Sequence, residues 1–164
     1  MTELINSFVN GKKIERLFAK NLRKNNFQFK REPYICKLHP DYLIAPKIIV
    51  EMTIDCQHTN LDALCFHSML YREEKYITAL IVPFSKVSPI RMHFLVKSFN
   101  FVFDMEDFGN INKIISLLTE ALNYKNEKLE QVIIMYEDYL KNKSNVYSRL
   151  RNRLLEEMSA EYDK

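Results

Sequence analysis

Residues 47–55, KIIVEMTID, pack isoleucine and valine densely around one carboxylate, Glu51. β-Branched side chains favour an extended backbone, and a nearly continuous apolar run suits a strand covered on both faces. Side chains alternate along a strand. Lys47, Ile49, Glu51, Thr53 and Asp55 should therefore share one face, with Ile48, Val50, Met52 and Ile54 on the other. Such a strand needs helices above and below it, which points to an α/β layer structure. It also makes Glu51 the anomaly, because a carboxylate is rarely buried unless it is paired or bound to a cation.

The flanking sequence supplies the remaining layers. The spacing of Ile14, Leu17, Phe18 and Leu22 predicts an amphipathic helix over 11–26, with Lys12, Lys13, Arg16, Lys20 and Arg23 on its other side. Extended segments are expected at 27–36, where Pro33 suggests an edge, and at 40–45. Thr59-Asn60-Leu61-Asp62 resembles a capping box, with Asp in place of Glu or Gln, and opens a helix expected to reach Lys75. Residues 78–84 and 91–104 read as two further strands, and the pattern from Ile111 onward is helical. This divides the chain into an α/β core over 1–110 and C-terminal helices over 111–164, packed on the core or forming an oligomer interface. The stripe Leu129, Ile133, Tyr136 and Leu140 suits either role.

Composition removes several functions. With only two glycines, Gly11 and Gly109, the chain has no glycine-rich phosphate loop or dinucleotide fingerprint. Three unpaired-looking cysteines, Cys36, Cys56 and Cys65, form neither a disulfide framework nor a zinc ribbon, and fit reduced thiols in a cytoplasmic protein. No secretory signal and no membrane-length apolar run is visible. The net charge of +3 is unevenly spread, since residues 1–50 hold ten Lys/Arg against four Asp/Glu. That excess suits a polyanion such as nucleic acid, and equally a solvated basic helix face.

Three acidic positions then stand out in order: Glu15 at the edge of the first helix's apolar face, Asp41 after Pro40, and Glu51. Asp41 leads the strand before that of Glu51, so the two carboxylates can converge. Together with a backbone carbonyl they suit a hard cation. A strand carboxylate paired with Lys30 or Arg31 is the plainer alternative for Glu51.

Glu15, Pro40-Asp41 and Glu51-Met52-Thr53 together resemble the PD-(D/E)xK nuclease superfamily, the restriction-endonuclease-like fold. The likeness spans roughly residues 11–83. It implies an α-β-β-β-α-β core with a mixed sheet flanked by helices, here followed by a helical C-terminal extension. It also implies metal-dependent hydrolysis of DNA phosphodiester bonds. Asp41 and Glu51 would hold Mg²⁺ or Mn²⁺ with the Met52 carbonyl, and Glu15 would complete the site through water. Lys12, Lys13, Arg16, Lys20 and Arg23 would follow the nucleic-acid backbone.

Thr53 occupies the place of the family's lysine and brings a hydroxyl but no charge. Lys75, Arg72 or Gln57 on or near the following helix are candidate substitutes, and His39 is a candidate substrate contact. The competing functions are a non-catalytic DNA-binding module of nuclease fold and a protein-interaction scaffold using the C-terminal helices. A homodimer would suit cutting of both strands, though nothing in the sequence demands one.

Overall fold

The computed structural model describes residues 2–56, 59–124 and 128–143. Among these, a five-stranded mixed sheet in the order β1-β2-β3-β4-β5 is flanked by five helices. The first helix, α1 (Thr2–Lys24), leads into β1 (Phe29–Arg31), β2 (Tyr42–Ile44) and β3 (Ile48–Met52). These three strands form an antiparallel meander. Next come α2 (Leu61–Glu73), β4 (Ile77–Val82), α3 (Pro89–Ser98), β5 (Phe101–Asp104) and α4 (Phe108–Tyr124). Strands β4 and β5 continue the sheet parallel to β3. A fifth helix, α5, spans residues 128–143. The expected segment beyond it lies outside the described residues.

The apolar run at 47–55 does become a strand buried on both faces. Ile48 and Val50 join the main core with Phe18 of α1, while Ile49 points the other way into a smaller cluster with Ile35 and Tyr71. Strand β4, ITALIV, is buried in the same manner from Thr78 to Val82. Each fully buried Ile, Val or Leu contributes about 1.5–3 kcal/mol. Helices α2 and α3 pack together on one face, and α1 meets α4 on the other. Ile111, Ile114, Ile115 and Leu118 of α4, with Val132 and Tyr139 of α5, belong to the same core cluster as Phe18 and Val50.

The two outer strands are protected differently. Strand β1 is only three residues long and carries exposed Lys30 and Arg31, so charge discourages further pairing. Strand β5 is covered by α5, whose tyrosines take the place of another strand. The Tyr136 hydroxyl accepts from the Val102 amide at 2.8 Å, and that of Tyr139 accepts from the Asp104 amide at 2.7 Å. Their rings pack edge-on against Phe103.

The structure departs from the sequence-based expectation in one element and in several boundaries. Residues 91–98, expected in a strand, are helical and belong to α3; only Phe101–Asp104 is extended. Ser88 caps α3 by accepting from the Arg91 amide, Pro89 follows at the first turn, and Met92 and Leu95 face inward. These start signals outweigh the apolar run MHFLV. Helix α1 begins well before Gly11, and α2 ends at Glu73. The cap of α2 is Asn60, which accepts from the Ala63 amide, and not Thr59.

Candidate active site

Strand register creates the site. Tyr42 stands opposite Val50, so the next facing positions are Asp41 and Glu51. Asp41 accepts a 2.7 Å hydrogen bond from the Met52 amide, and the Asp41 amide donates to Glu51 across 3.4 Å. The two carboxylates thus lie just beyond the last rung of the β2–β3 ladder. Like charges on facing positions are destabilising. Even so, Glu51 is 7% exposed, and among the described residues neither carboxylate has a cationic partner. The plainer pairing of Glu51 with Lys30 or Arg31 does not occur. Lys30 faces Leu43 in the register of β1 with β2, and Arg31 turns to Glu15.

Electrostatics record the strain of this arrangement. Burial, reinforced by the charge of Asp41, pushes the Glu51 carboxyl up to about 8. Asp41 is also raised, first by burial and then by the charge of Glu15, with the Met52 amide opposing. Both shifts penalise the charged form, a penalty that a bound cation would relieve.

Glu15 reaches this end of the sheet from α1. Gly11 lies close enough to Ile54 that a methyl group there would make van der Waals contact, and one turn later the Glu15 carbonyl accepts from the Tyr42 hydroxyl at 2.7 Å. The carboxylate itself is held by Lys12 at 3.2 Å and Arg31 at 3.6 Å. The Arg31 guanidinium also lies over the Tyr42 ring, 5.8 Å from its centre. Glu15 therefore contributes charge near Asp41 without joining the pair. Among the described residues, no group of three or more His, Cys, Asp or Glu side chains is placed to hold a metal.

Thr53 is buried just beyond β3. Its amide donates to the Ile81 carbonyl at 3.1 Å, and its hydroxyl shares a 2.8 Å hydrogen bond with that of Thr59. Two of the suggested substitutes for a lysine, Arg72 and Lys75, are not brought there. Arg72 donates to the carbonyls of Lys97 and Ser98, at the C-terminal end of α3. Lys75 lies two residues before Ile77, which is paired with Ile48 at the opposite end of β3. Gln57 lies outside the described residues. His39 is exposed, with its ring against that of Tyr34 at 5.2 Å.

The basic residues of α1 divide into two groups. Lys13, Arg16 and Lys20 are exposed and, with Lys24, line one side of the helix at intervals of three and four. Lys12 is committed to Glu15, and Arg23 lies 5.6 Å from the Phe29 ring centre.

The sequence misses the partner of one residue of the site and gives no signal for another. Arg31 sits beside Glu15 only because the β1–β2 pairing brings it there. Tyr71 enters from α2, its ring fully buried next to Ile49 and its hydroxyl without a hydrogen-bond partner. Tyr71 opposes the rise that burial imposes on the Glu51 carboxyl. No protein-family model, curated protein or solved structure matches this chain.

Proposed function

We propose that this chain is a divalent-cation-dependent nuclease of restriction-endonuclease-like architecture that hydrolyses DNA phosphodiester bonds. The observation carrying the reading is the Asp41–Glu51 pair, two adjacent carboxylates, one half-buried and one buried, that have no cation of the protein's own among the described residues. Two further features support it. The order α1-β1-β2-β3-α2-β4 contains the α-β-β-β-α-β sequence of that fold, and Glu15 reaches the same end of the sheet.

The donor set fits a hard cation. Asp41 and Glu51 offer carboxylate oxygens, and the Met52 amide already points toward Asp41. A residue's N–H and C=O point to the same side of a strand, so the Met52 carbonyl is directed toward Asp41 as well. Bound there, Mg²⁺ or Mn²⁺ would polarise a phosphodiester oxygen and generate hydroxide from water near neutral pH. Glu15, fixed by Lys12 and Arg31, would hold a water at the rim. The exposed stripe of Lys13, Arg16 and Lys20 would position the DNA backbone through counterion release.

A lapsed nuclease is the second reading, favoured by one observation: the Thr53 hydroxyl is taken up by Thr59 and supplies no positive charge. One assay separates the two. Plasmid and oligonucleotide DNA are incubated with wild type, Asp41→Ala and Glu51→Ala in Mg²⁺ or Mn²⁺. Cleavage by the wild type alone supports the enzyme. Salt-sensitive binding by all three without cleavage supports the lapsed form. Neither cleavage nor binding sinks both.

A further inference from the structure

Tyr71 projects from the last turns of α2 into the small cluster of Ile35 and Ile49, beneath the strand that carries Glu51. Its side chain is 0% exposed, yet its hydroxyl has no hydrogen-bond partner. Buried hydroxyls seldom remain unpaired, and phenylalanine would fill the same space without a polar atom. The residue is therefore poorly explained by packing alone. Tyr71 packs with Ile49, which by strand alternation shares its face of β3 with Glu51. Burial first, and then the charge of Glu51, raise the phenol.

We propose that Tyr71 is the positioning residue of the cation site, its hydroxyl donating to Glu51 when that carboxylate turns to a divalent cation shared with Asp41. This rests on the functional reading above and names a role inside it. The Asp41 amide donates to Glu51 across a long 3.4 Å. A phenol that donates to an ionised carboxylate makes a strong, short bond. Outer partners of this kind fix the orientation of a ligating side chain. Tyr71 comes from a helix packed against the sheet, so its ring is already held and little further ordering is needed. The hydroxyl would touch neither substrate nor reacting atoms.

Calorimetric titration with Mn²⁺, without DNA, tests the assignment on wild type, Tyr71→Phe and Tyr136→Phe. The Tyr71→Phe protein should bind Mn²⁺ roughly 10–100-fold more weakly. Its melting temperature without cation should be unchanged or higher, because an unpaired polar atom has been removed. Tyr136→Phe should bind as wild type does, since its hydroxyl is committed to Val102. A purely structural Tyr71 would give the reverse, a lower melting temperature with undiminished affinity, and that result overturns the proposal. Wild type that fails to bind Mn²⁺ overturns the nuclease reading and this role together. Wild type that binds while Tyr71→Phe matches it overturns the role of Tyr71 alone.

Discussion

Two acidic pairs border this sheet, and they are treated in opposite ways. Asp104, the last residue of β5, and Asp107 just beyond it share the ammonium of Lys143 from α5. The Tyr139 hydroxyl donates to Asp107 at 3.1 Å while accepting from the Asp104 amide. Burial alone would lower the Lys143 ammonium, but its bonds to Asp107 and Asp104 outweigh that and raise it. Asp41 and Glu51 have no such lysine among the described residues, and the tyrosine beside them, Tyr71, has an unpaired hydroxyl. The same residue types thus form a closed network at one place and an incomplete one at the other. A closed network holds structure together. An incomplete one, retained at a cost in stability, points to a ligand that completes it.

The largest expected difference between the pairs is in activity. Asp41→Ala should lower Mg²⁺-dependent cleavage by on the order of 10²-fold or more, as loss of a group that supports charge in the transition state does. Asp107→Asn should cleave DNA at near the wild-type rate. Single-turnover rates on a labelled duplex measure both, and equal losses would erase the distinction.

Stability should show the opposite ranking. Lys143→Met leaves two carboxylates facing each other and should cost roughly 1–3 kcal/mol, read from urea unfolding. Glu51→Gln removes a charge that the fold disfavours, and should leave the cation-free protein as stable as wild type or more so at about pH 8, where that charge is populated.

A pH series sharpens the contrast. The Glu51 carboxyl is raised from 4.5 to about 8 on folding, so between these values the folded state binds more protons than the unfolded. Stability from this group is fully present below about pH 4.5 and is lost as pH rises toward 8. Melting temperature without cation should therefore fall across that window, and Glu51→Gln should flatten the fall. Saturating Mn²⁺ should restore stability most at the high end, by about 2.7 kcal/mol at a hundredfold excess over its dissociation constant. A flat profile in wild type would remove the electrostatic argument.

The smallest effect concerns the substrate side. Replacing Lys13, Arg16 and Lys20 with alanine should reduce the salt dependence of DNA binding by about one unit of log–log slope for each phosphate that is no longer neutralised. Cleavage chemistry at saturating DNA should be largely retained. An unchanged slope would mean that the basic stripe is only a solvated surface.

Much of this architecture is legible in the sequence because its signals are local. The run IIVEM announces a buried strand, and Pro40-Asp41 with Glu51 announces two converging carboxylates, because a two-strand meander leaves few alternative registers. Residues 91–98 mislead because MHFLV has a strand-like composition, whereas the signal that decides their conformation, Ser88-Pro89, lies outside that run. Tyr71 and Tyr139, and the partners that Arg31 and Tyr136 take, are invisible for another reason. Each acts on a partner distant in sequence, as when the Tyr136 hydroxyl reaches Val102, and side-chain type alone does not announce such a contact. Arg72, sought as a substitute for a lysine, fails likewise: it is spent on the end of α3, a fact only packing reveals.

The most direct test is to locate a bound cation. Crystals of the protein soaked in Mn²⁺, with anomalous data collected at the manganese edge, should show one peak between the carboxylates of Asp41 and Glu51, on the Met52 carbonyl side. None should appear at Asp104 and Asp107, where Lys143 already supplies the charge. No peak at Asp41 and Glu51 under saturating Mn²⁺, or a peak at the other pair instead, would contradict the account.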